Sequence, residues 1–190
     1  VSHDLMQPIN AAHLFTHALA QQLEHPQYLE AVNNIDGALG SAEGLLAGLL
    51  DISRLDAGGM APSVQAFCVD HVLQNLATEF GVLARQKQLQ LHYVPSRAWV
   101  HSDPQLLRRV LQNFLANAVR YTDSGRILLG CRRRGDEISV EVWDTGPGID
   151  EAEQQRVFDE FYQVPGGPAP RPGQKRGLGF GLAIVKRLAG

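Results

Sequence analysis

The sequence lacks the features of secreted, membrane-spanning and nucleic-acid-binding chains. Its only two cysteines, Cys68 and Cys131, have no metal-type spacing and favour a reducing compartment. No apolar run reaches the roughly 18 residues that a membrane span needs, and no signal peptide is present. The net charge of −3 comes without a strong basic run, so nucleic acid is not indicated as a partner. We expect this region to be cytoplasmic, although the full-length protein could be attached to a membrane.

No internal repeat is present, and no G-x-x-x-x-G-K-[ST] phosphate loop occurs in the chain. What the sequence does have is 44% hydrophobic residues, enough to build the core of one or two domains in 190 residues. It begins with Val1 and ends at Gly190 inside a predicted helix. We therefore expect it to be cut from a longer protein.

Residues 1–60 are predicted to form an antiparallel helical hairpin. In the first helix, apolar and small residues alternate spacings of four and three, which is typical of a heptad seam; they are Leu5, Ile9, Ala12, Thr16, Leu19 and Leu23. Pro26 marks the break, and the second helix is expected to end near Gly58. Two helices cannot cover all the apolar surface, so we expect a homodimeric four-helix bundle.

Residues 61–190 are predicted to mix strands and helices, which makes the chain an α+β protein. The segments SVQAFCV and LQLHYV have strand patterns, and RILLGCRR with EISVEVWD predicts a hairpin. Asp70 is predicted to cap one helix, and Asp103 caps a second that ends near Tyr121.

Short helices are expected near residues 150–160 and 178–189. Between them, QVPGGPAPRPGQKRG is too rich in proline and glycine to form a packed element, and its length is typical of a functional lid.

Three segments carry residues suited to nucleotide chemistry. In DTGPGID, Asp144 follows a strand and could accept a hydrogen bond from an exocyclic amine such as that of adenine. Gly146 and Gly148 would let a flat ligand approach the backbone. A tight turn followed by a helix cap at Asp150 explains the same residues without a ligand.

In QNFLANAVRYT, Asn113 and Asn117 share one helix face, and their amide oxygens could coordinate Mg²⁺. Arg120 could contact phosphate, and Tyr121 could lie against a base or sugar. A solvated polar helix face is the alternative. The third segment, RGLGFGLAIV, places glycines at a helix start, where backbone amides can bind an anion.

The first segment of the chain, VSHDLMQPIN, sets His3 beside Asp4 and places Pro8 within the same predicted helix. A proline there removes a backbone hydrogen bond and clashes with the carbonyl of Asp4, so a kink is expected next to the His-Asp pair. A surface histidine near the chain end would explain His3 without any function.

In their order, these segments resemble the catalytic core of a sensor histidine kinase across nearly all of the chain. SHDLMQP resembles the H box, NFLANAVRYT the N box, DTGPGI the G1 box, FDEFYQ the F box and GLGFGLAIV the G2 box. LLDISRLDAG resembles the end of the second dimerisation helix. The resemblance implies a dimerisation and phosphoacceptor domain over residues 1–60. Residues 61–190 would be a two-layer α/β sandwich with a mixed sheet, truncated at its C-terminal end.

The resemblance further implies ATP-dependent autophosphorylation of His3, with Asp4 orienting or deprotonating its imidazole. The phosphoryl group would then pass to an aspartate of a response-regulator receiver domain, which could belong to the same polypeptide, and a sensor domain would precede this region. ATP and Mg²⁺ are the implied cofactors, with Asn117 holding Mg²⁺. The implied nucleotide-binding residues are Asn113, Asn117, Arg120, Tyr121, Asp144, Gly146, Gly148, Ile149, Lys175, Arg176, Gly177, Leu178, Gly179, Gly181 and Leu182.

Two positions depart from the family pattern. Gln7 stands where Thr or Asn is usual, which puts phosphatase activity toward the receiver domain in question, and Arg120 replaces a Lys. His13 and His17 have the spacing of a helical metal site but also suit a bundle-lining role. A mechanical ATPase without phosphohistidine and a degenerate kinase used for docking are the alternative functions.

Overall fold

The computed structural model describes residues 2–23, 25–56, 62–164 and 179–189, with only the backbone at 2–5, 41, 44, 45 and 47–56. The chain divides into two compact units, one of residues 1–59 with 159–180 and one of residues 60–158 with 181–190. The domain boundary expected between residues 60 and 61 stays a prediction.

Two long helices form a hairpin in the first unit. Helix α1 spans Ser2–Gln22 and contains Pro8, and helix α2 spans Pro26–Asp56. The connection between them is short, and His13 Nδ1 lies 2.5 Å from Asp36 Oδ1. Since these two residues lie at similar distances along the chain from the connection, the helices run antiparallel, as predicted. Within the described residues, no helix is long and apolar enough to cross a bilayer.

A polar cluster joins the two helices. Asp36 Oδ1 also accepts a hydrogen bond from Thr16 Oγ1 at 3.3 Å, and His13 Nε2 lies 3.7 Å from Glu43 Oε2. The hydrogen bond with His13 holds the pKa of Asp36 below its usual value. No cluster of three or more His, Cys, Asp or Glu residues that could hold a metal is found in the described part of the chain. His13 contacts Asp36 and Glu43 of α2 and so lies between the two helices of the hairpin.

The second unit is a layer of helices against a mixed sheet. Its elements are β1 (Gln65–Cys68), α3 (Asp70–Gln86), β2 (Gln90–Tyr93), β3 (Trp99–Ser102), α4 (Pro104–Tyr121), β4 (Arg126–Arg134), β5 (Glu137–Asp144), a single-turn 3₁₀ helix (Arg156–Phe158) and α5 (Gly181–Ala189). Strand β4 pairs parallel with β2 and antiparallel with β5, while β1 and β3 form a separate antiparallel pair. The predicted α+β fold with a mixed sheet is confirmed.

The core of this unit follows from the alternation of side chains along β4. Ile127 and Leu129 are fully buried, whereas Leu128 between them points away and is 39% exposed. The buried face packs with Leu73 of α3 and Leu115 of α4 in one hydrophobic cluster. This packing fixes α4 over the sheet, and α4 carries the polar residues singled out in the sequence.

Two local predictions were wrong. Asp70 does not cap α3: Val69 is the N-cap residue without a side-chain cap bond, and Asp70 Oδ1 accepts hydrogen bonds from Ser96 N at 2.7 Å and from the Tyr93 hydroxyl. Donors from Tyr93 and Ser96 thus bind the carboxylate in place of the N–H groups of its own helix. Burial, together with the hydrogen bond to Asp70, raises the pKa of Tyr93 to about 12. The helix expected near residues 150–160 is a series of turns before the 3₁₀ helix at Arg156–Phe158.

Asp103 caps α4 as predicted. Its Oδ1 accepts from the backbone N–H groups of Gln105 at 2.8 Å and Leu106 at 3.1 Å, and its Oδ2 accepts from Ser63 N at 2.7 Å. The bond from Leu106 is the largest of the causes that hold the pKa of this carboxyl below its usual value. The charged form is therefore stabilised by folding.

We expect Asp103→Ala to lower the free energy of unfolding by about 1–2 kcal/mol at neutral pH, because the cap bonds are lost. The exposed turn variant Asp136→Ala is the control. Because folding lowers the pKa of Asp103, its ionic contribution is complete above the unfolded value of about 3.9 and is lost as the pH falls through the folded value. Urea titrations from pH 7 to pH 2 measure this. A difference from wild type that stays constant across that range would contradict the cap assignment.

Candidate functional site

Helix α4 presents Asn113 and Asn117 one turn apart on the same face. Both side chains are half-buried. Asn113 Nδ2 donates a hydrogen bond to the carbonyl of Arg109 at 2.9 Å, so its amide orientation is fixed by its own helix. The side-chain amide of Asn117 has no hydrogen-bond partner among the described residues. Asn117 therefore has a polar group to offer a ligand.

The start of α5 lies against this face of α4. A Cβ atom placed on Gly181 would lie 2.8 Å from Asn113 Oδ1, so a larger residue at this position would require the Asn113 amide to shift. The next residue, Leu182, is half-buried. The structure thus brings together the N-box and G2-box segments, which are separated by more than 60 residues in the sequence.

Asp144 ends β5 with one carboxylate oxygen fixed and the other available. Its Oδ1 accepts hydrogen bonds from Gly146 N at 2.8 Å and from Thr122 Oγ1 at 3.3 Å. Its Oδ2 has no hydrogen-bond partner in the described part of the chain, and the residue is exposed. The site therefore presents an oriented acceptor to a ligand that carries an N–H donor.

Gly146 is required here for space. A Cβ on this residue would lie 2.7 Å from Asp144 Oδ1 and 3.2 Å from both Thr122 Oγ1 and the Tyr121 carbonyl oxygen. Gly148 is required for a different reason, because its φ of +73° disfavours other residues although nothing lies within 4 Å of its Cβ position.

Beside the turn that contains Gly146 and Gly148, two of the residues predicted to bind nucleotide present apolar surface. Tyr121 is 40% exposed and Ile149 is 44% exposed. Arg120 is half-buried, and its backbone carbonyl belongs to the last turn of α4.

Two residues that hold this region in place were not predicted from the sequence. Thr122 is fully buried and bonds Asp144, although its only sequence signal is its place directly after a predicted helix end. Lys87 follows α3 and donates from Nζ to the carbonyls of Val119 at 2.8 Å, Arg120 at 2.8 Å and Thr122 at 3.4 Å. No sequence signal reveals Lys87, because its partners lie more than 30 residues away.

In the other unit, the F-box and G2-box segments meet. Gly179 has a φ of +77°, and a Cβ there would lie 2.7 Å from the carbonyl carbon of Phe161. The rings of Phe161 and Phe180 pack edge to face with centroids 4.6 Å apart. Gly179 therefore permits a close backbone approach, in addition to any role at a ligand.

Several predicted residues cannot be placed with their side chains. Lys175, Arg176, Gly177 and Leu178 lie outside the described residues, as does the predicted lid, residues 164–177, apart from residue 164. His3 and Asp4 belong to α1, where only their helical backbone is described. Gln7 is exposed on the same helix.

Neither of two surface depressions of the second unit is lined by a predicted nucleotide residue. One of about 400 Å³ lies along β5 beside Phe114, and one of about 520 Å³ lies near Trp99 and Cys131. The candidate site is consequently defined by its polar side chains and glycines.

Known proteins resemble this chain in sequence and in fold. Residues 102–190 match the family described as histidine kinase-, DNA gyrase B-, and HSP90-like ATPase. The sensor histidine kinase RcsC of Escherichia coli K12 is 33% identical over 197 residues, covering 99% of this chain and 20% of RcsC. The sensor-like histidine kinase SenX3 of Mycobacterium tuberculosis is 31% identical over 195 residues, covering 100% of this chain and 46% of SenX3. The crystal structure of full-length ShkA with AMPPNP has a TM-score of 0.73 at 25% identity, covering 99% of this chain and 39% of ShkA.

Residues 102–190 therefore belong to the histidine kinase-, DNA gyrase B- and HSP90-like ATPase family, and the chain as a whole is homologous to sensor histidine kinases. This confirms the predicted family, and the family that residues 102–190 match is one of ATPases. The chain spans 20% of the length of RcsC and 46% of the length of SenX3.

We expect Gly146→Ala to weaken ATP binding by about tenfold or more, because a loss of only about 1.4 kcal/mol of binding free energy raises the dissociation constant tenfold. The added methyl group would push against Asp144 Oδ1 and Thr122 Oγ1. Calorimetric titration with ATP measures the effect. Gly81→Ala is the matched control, because that glycine of α3 has no positive φ and its Cβ position meets only Arg85 Nη1, at 3.9 Å. Equal affinity of the two variants would show that Gly146 does not border the nucleotide.

Proposed function

We propose that this chain is a sensor histidine kinase core that phosphorylates itself on His3 and passes the phosphoryl group to an aspartate of a receiver domain. One observation carries the proposal: Asp144, at the end of β5, has one oxygen held by Thr122 and Gly146 and the other open to a ligand donor. The receiver domain could be a separate protein or part of the same polypeptide, and a sensor domain would precede this region.

The open oxygen of Asp144 would accept a hydrogen bond from the exocyclic amine of adenine. Gly146 has no side chain to obstruct a flat base, and the exposed apolar surfaces of Tyr121 and Ile149 lie on segments beside the same turn. Gly148 would keep the following turn in its left-handed conformation. These contacts would bind adenine in preference to guanine, which has an oxo group in place of that amine.

The phosphates would lie toward Asn113 and Asn117. The unpartnered amide of Asn117 supplies the kind of oxygen that Mg²⁺ prefers. The described residues contain no acidic cluster for a metal, which suits an ion held mainly by the phosphates of its nucleotide. Arg120 would contact phosphate on this side. The cations Lys175 and Arg176, and the segment from Gly177 to Leu182, would cover the phosphates.

The proposed chemistry is two successive phosphoryl transfers. A ring nitrogen of neutral His3 attacks the γ-phosphorus of ATP, the bond to the β,γ-bridging oxygen breaks, and ADP leaves. Asp4 accepts the imidazole proton. In the second transfer the P–N bond breaks as a receiver aspartate oxygen forms a P–O bond, and the released imidazole takes up a proton.

Dimerisation of the hairpin is part of the proposal. Several apolar side chains of α1 and α2 are largely exposed in the single chain: Leu14 by 71%, Phe15 by 74%, Tyr28 by 59% and Ile35 by 51%. Pairing two hairpins into a four-helix bundle would cover such surface. We expect sedimentation velocity to show a dimer at about 50 μM, a concentration far above the dissociation constant of a stable dimer. A monomer at that concentration would refute this part.

We expect wild-type protein incubated with γ-labelled ATP to acquire acid-labile, base-stable label. His3→Ala should remain unlabelled while binding ATP normally, because His3 is a nucleophile and not a ligand. His17→Ala, which changes an exposed histidine on the same helix, is the control and should be labelled. Label retained on a histidine of His3→Ala would make the site assignment wrong. ATP hydrolysis without any label would favour a mechanical ATPase, and absence of ATP binding would favour a docking module.

A further inference from the structure

The ammonium group of Lys87 lies at the C-terminal end of α4. It donates to the carbonyl oxygens of Val119 and Arg120, both at 2.8 Å, and of Thr122 at 3.4 Å. An ammonium group has three N–H donors, so these three acceptors match its full capacity.

These bonds satisfy carbonyl groups that the helix itself leaves unpaired. The last turn of an α-helix has carbonyls without intrahelical partners and carries the negative end of the helix dipole. In α4 the carbonyl of Ala118 accepts from Thr122 N at 3.1 Å, and those of Val119 and Arg120 are bound by Lys87. A cation at this end is favoured by charge as well as by geometry.

The backbone of Lys87 is equally constrained. Lys87 is the C-cap residue of α3, and its N–H group donates to the carbonyls of Ala84 at 3.0 Å and Leu83 at 3.3 Å. One residue thus joins the end of α3 to the end of α4. Thr122, whose carbonyl Lys87 binds, donates through Oγ1 to Asp144.

We propose that Lys87 is a positioning residue of the nucleotide site, setting the end of α4 so that Thr122 holds Asp144 in place for adenine. This inference rests on the proposed function, because it takes Asp144 as the adenine acceptor. Lys87 acts through Thr122 and does not touch the nucleotide. Loss of Lys87 should therefore affect recognition of the base more than binding of the phosphates.

The test compares the dissociation constants of ATP and GTP for Lys87 variants, at a temperature where circular dichroism shows each variant folded. In Lys87→Met, ATP should bind about tenfold more weakly, a change of about 1.4 kcal/mol. Binding of GTP should change little, because guanine has an oxo group at the position of the adenine amine, so the preference for ATP falls. A general loss of stability would not alter that ratio. Lys87→Arg should restore most of the preference, because a guanidinium keeps the charge and enough donors.

Arg85→Met is the matched control, since it removes an exposed cation from the last turn of the same helix. It should keep the wild-type preference. If Lys87→Met is too unstable to measure, Lys87→Gln, which keeps a neutral donor, should give an intermediate preference. A folded Lys87→Met or Lys87→Gln that prefers ATP as strongly as wild type would overturn the role of Lys87 alone. A wild-type protein that binds ATP and GTP equally would overturn the adenine role of Asp144 together with it.

Discussion

The hydrogen bond between Thr122 and Asp144 is the contact on which the rest of the site depends. It joins the residue after α4 to the last residue of β5, and Thr122 is fully buried. A buried hydroxyl without a partner costs free energy, so Thr122 and Asp144 constrain each other. Because Gly146 N binds the same oxygen, the second oxygen of this exposed carboxylate has no hydrogen-bond partner among the described residues. The geometry of a candidate adenine acceptor is thus set by packing before any ligand arrives.

The same helix that ends at this contact carries the two asparagines proposed for the phosphate side. Asp103 fixes the first turn of α4, and Lys87 binds the carbonyls of its last turn. The buried residues Leu111 and Leu115 pack the helix against the sheet between these two ends. A rigid element held in this way can present groups to both ends of a nucleotide, which suits phosphoryl transfer because that chemistry depends mainly on positioning and charge neutralisation.

Much of this arrangement could be predicted from the sequence, because the informative signals are local. The cap at Asp103, the β4–β5 hairpin and the polar face of Asn113 and Asn117 all lie within short segments. The residues that were missed, Lys87 and Thr122, act through partners distant in sequence, where no periodicity or spacing reports the contact.

The error at Asp70 has the same origin. A local rule favours an aspartate as helix cap, but Tyr93 and Ser96 offer donors from a neighbouring strand and loop, and the carboxylate binds these instead. The family resemblance supplied what local rules could not, namely the order of the segments around one site. The roles of His3, Asp4 and the cations near Gly177 stay predictions.

The most direct test of this account is calorimetric titration of ATP into Thr122→Val and Thr122→Ser. Valine keeps the shape of threonine without the hydroxyl, whereas serine keeps the hydroxyl that bonds Asp144. The account predicts that Thr122→Val, although folded, loses about tenfold or more in ATP affinity, equivalent to about 1.4 kcal/mol, while Thr122→Ser binds nearly as wild type. A folded Thr122→Val that binds ATP as tightly as wild type would contradict it.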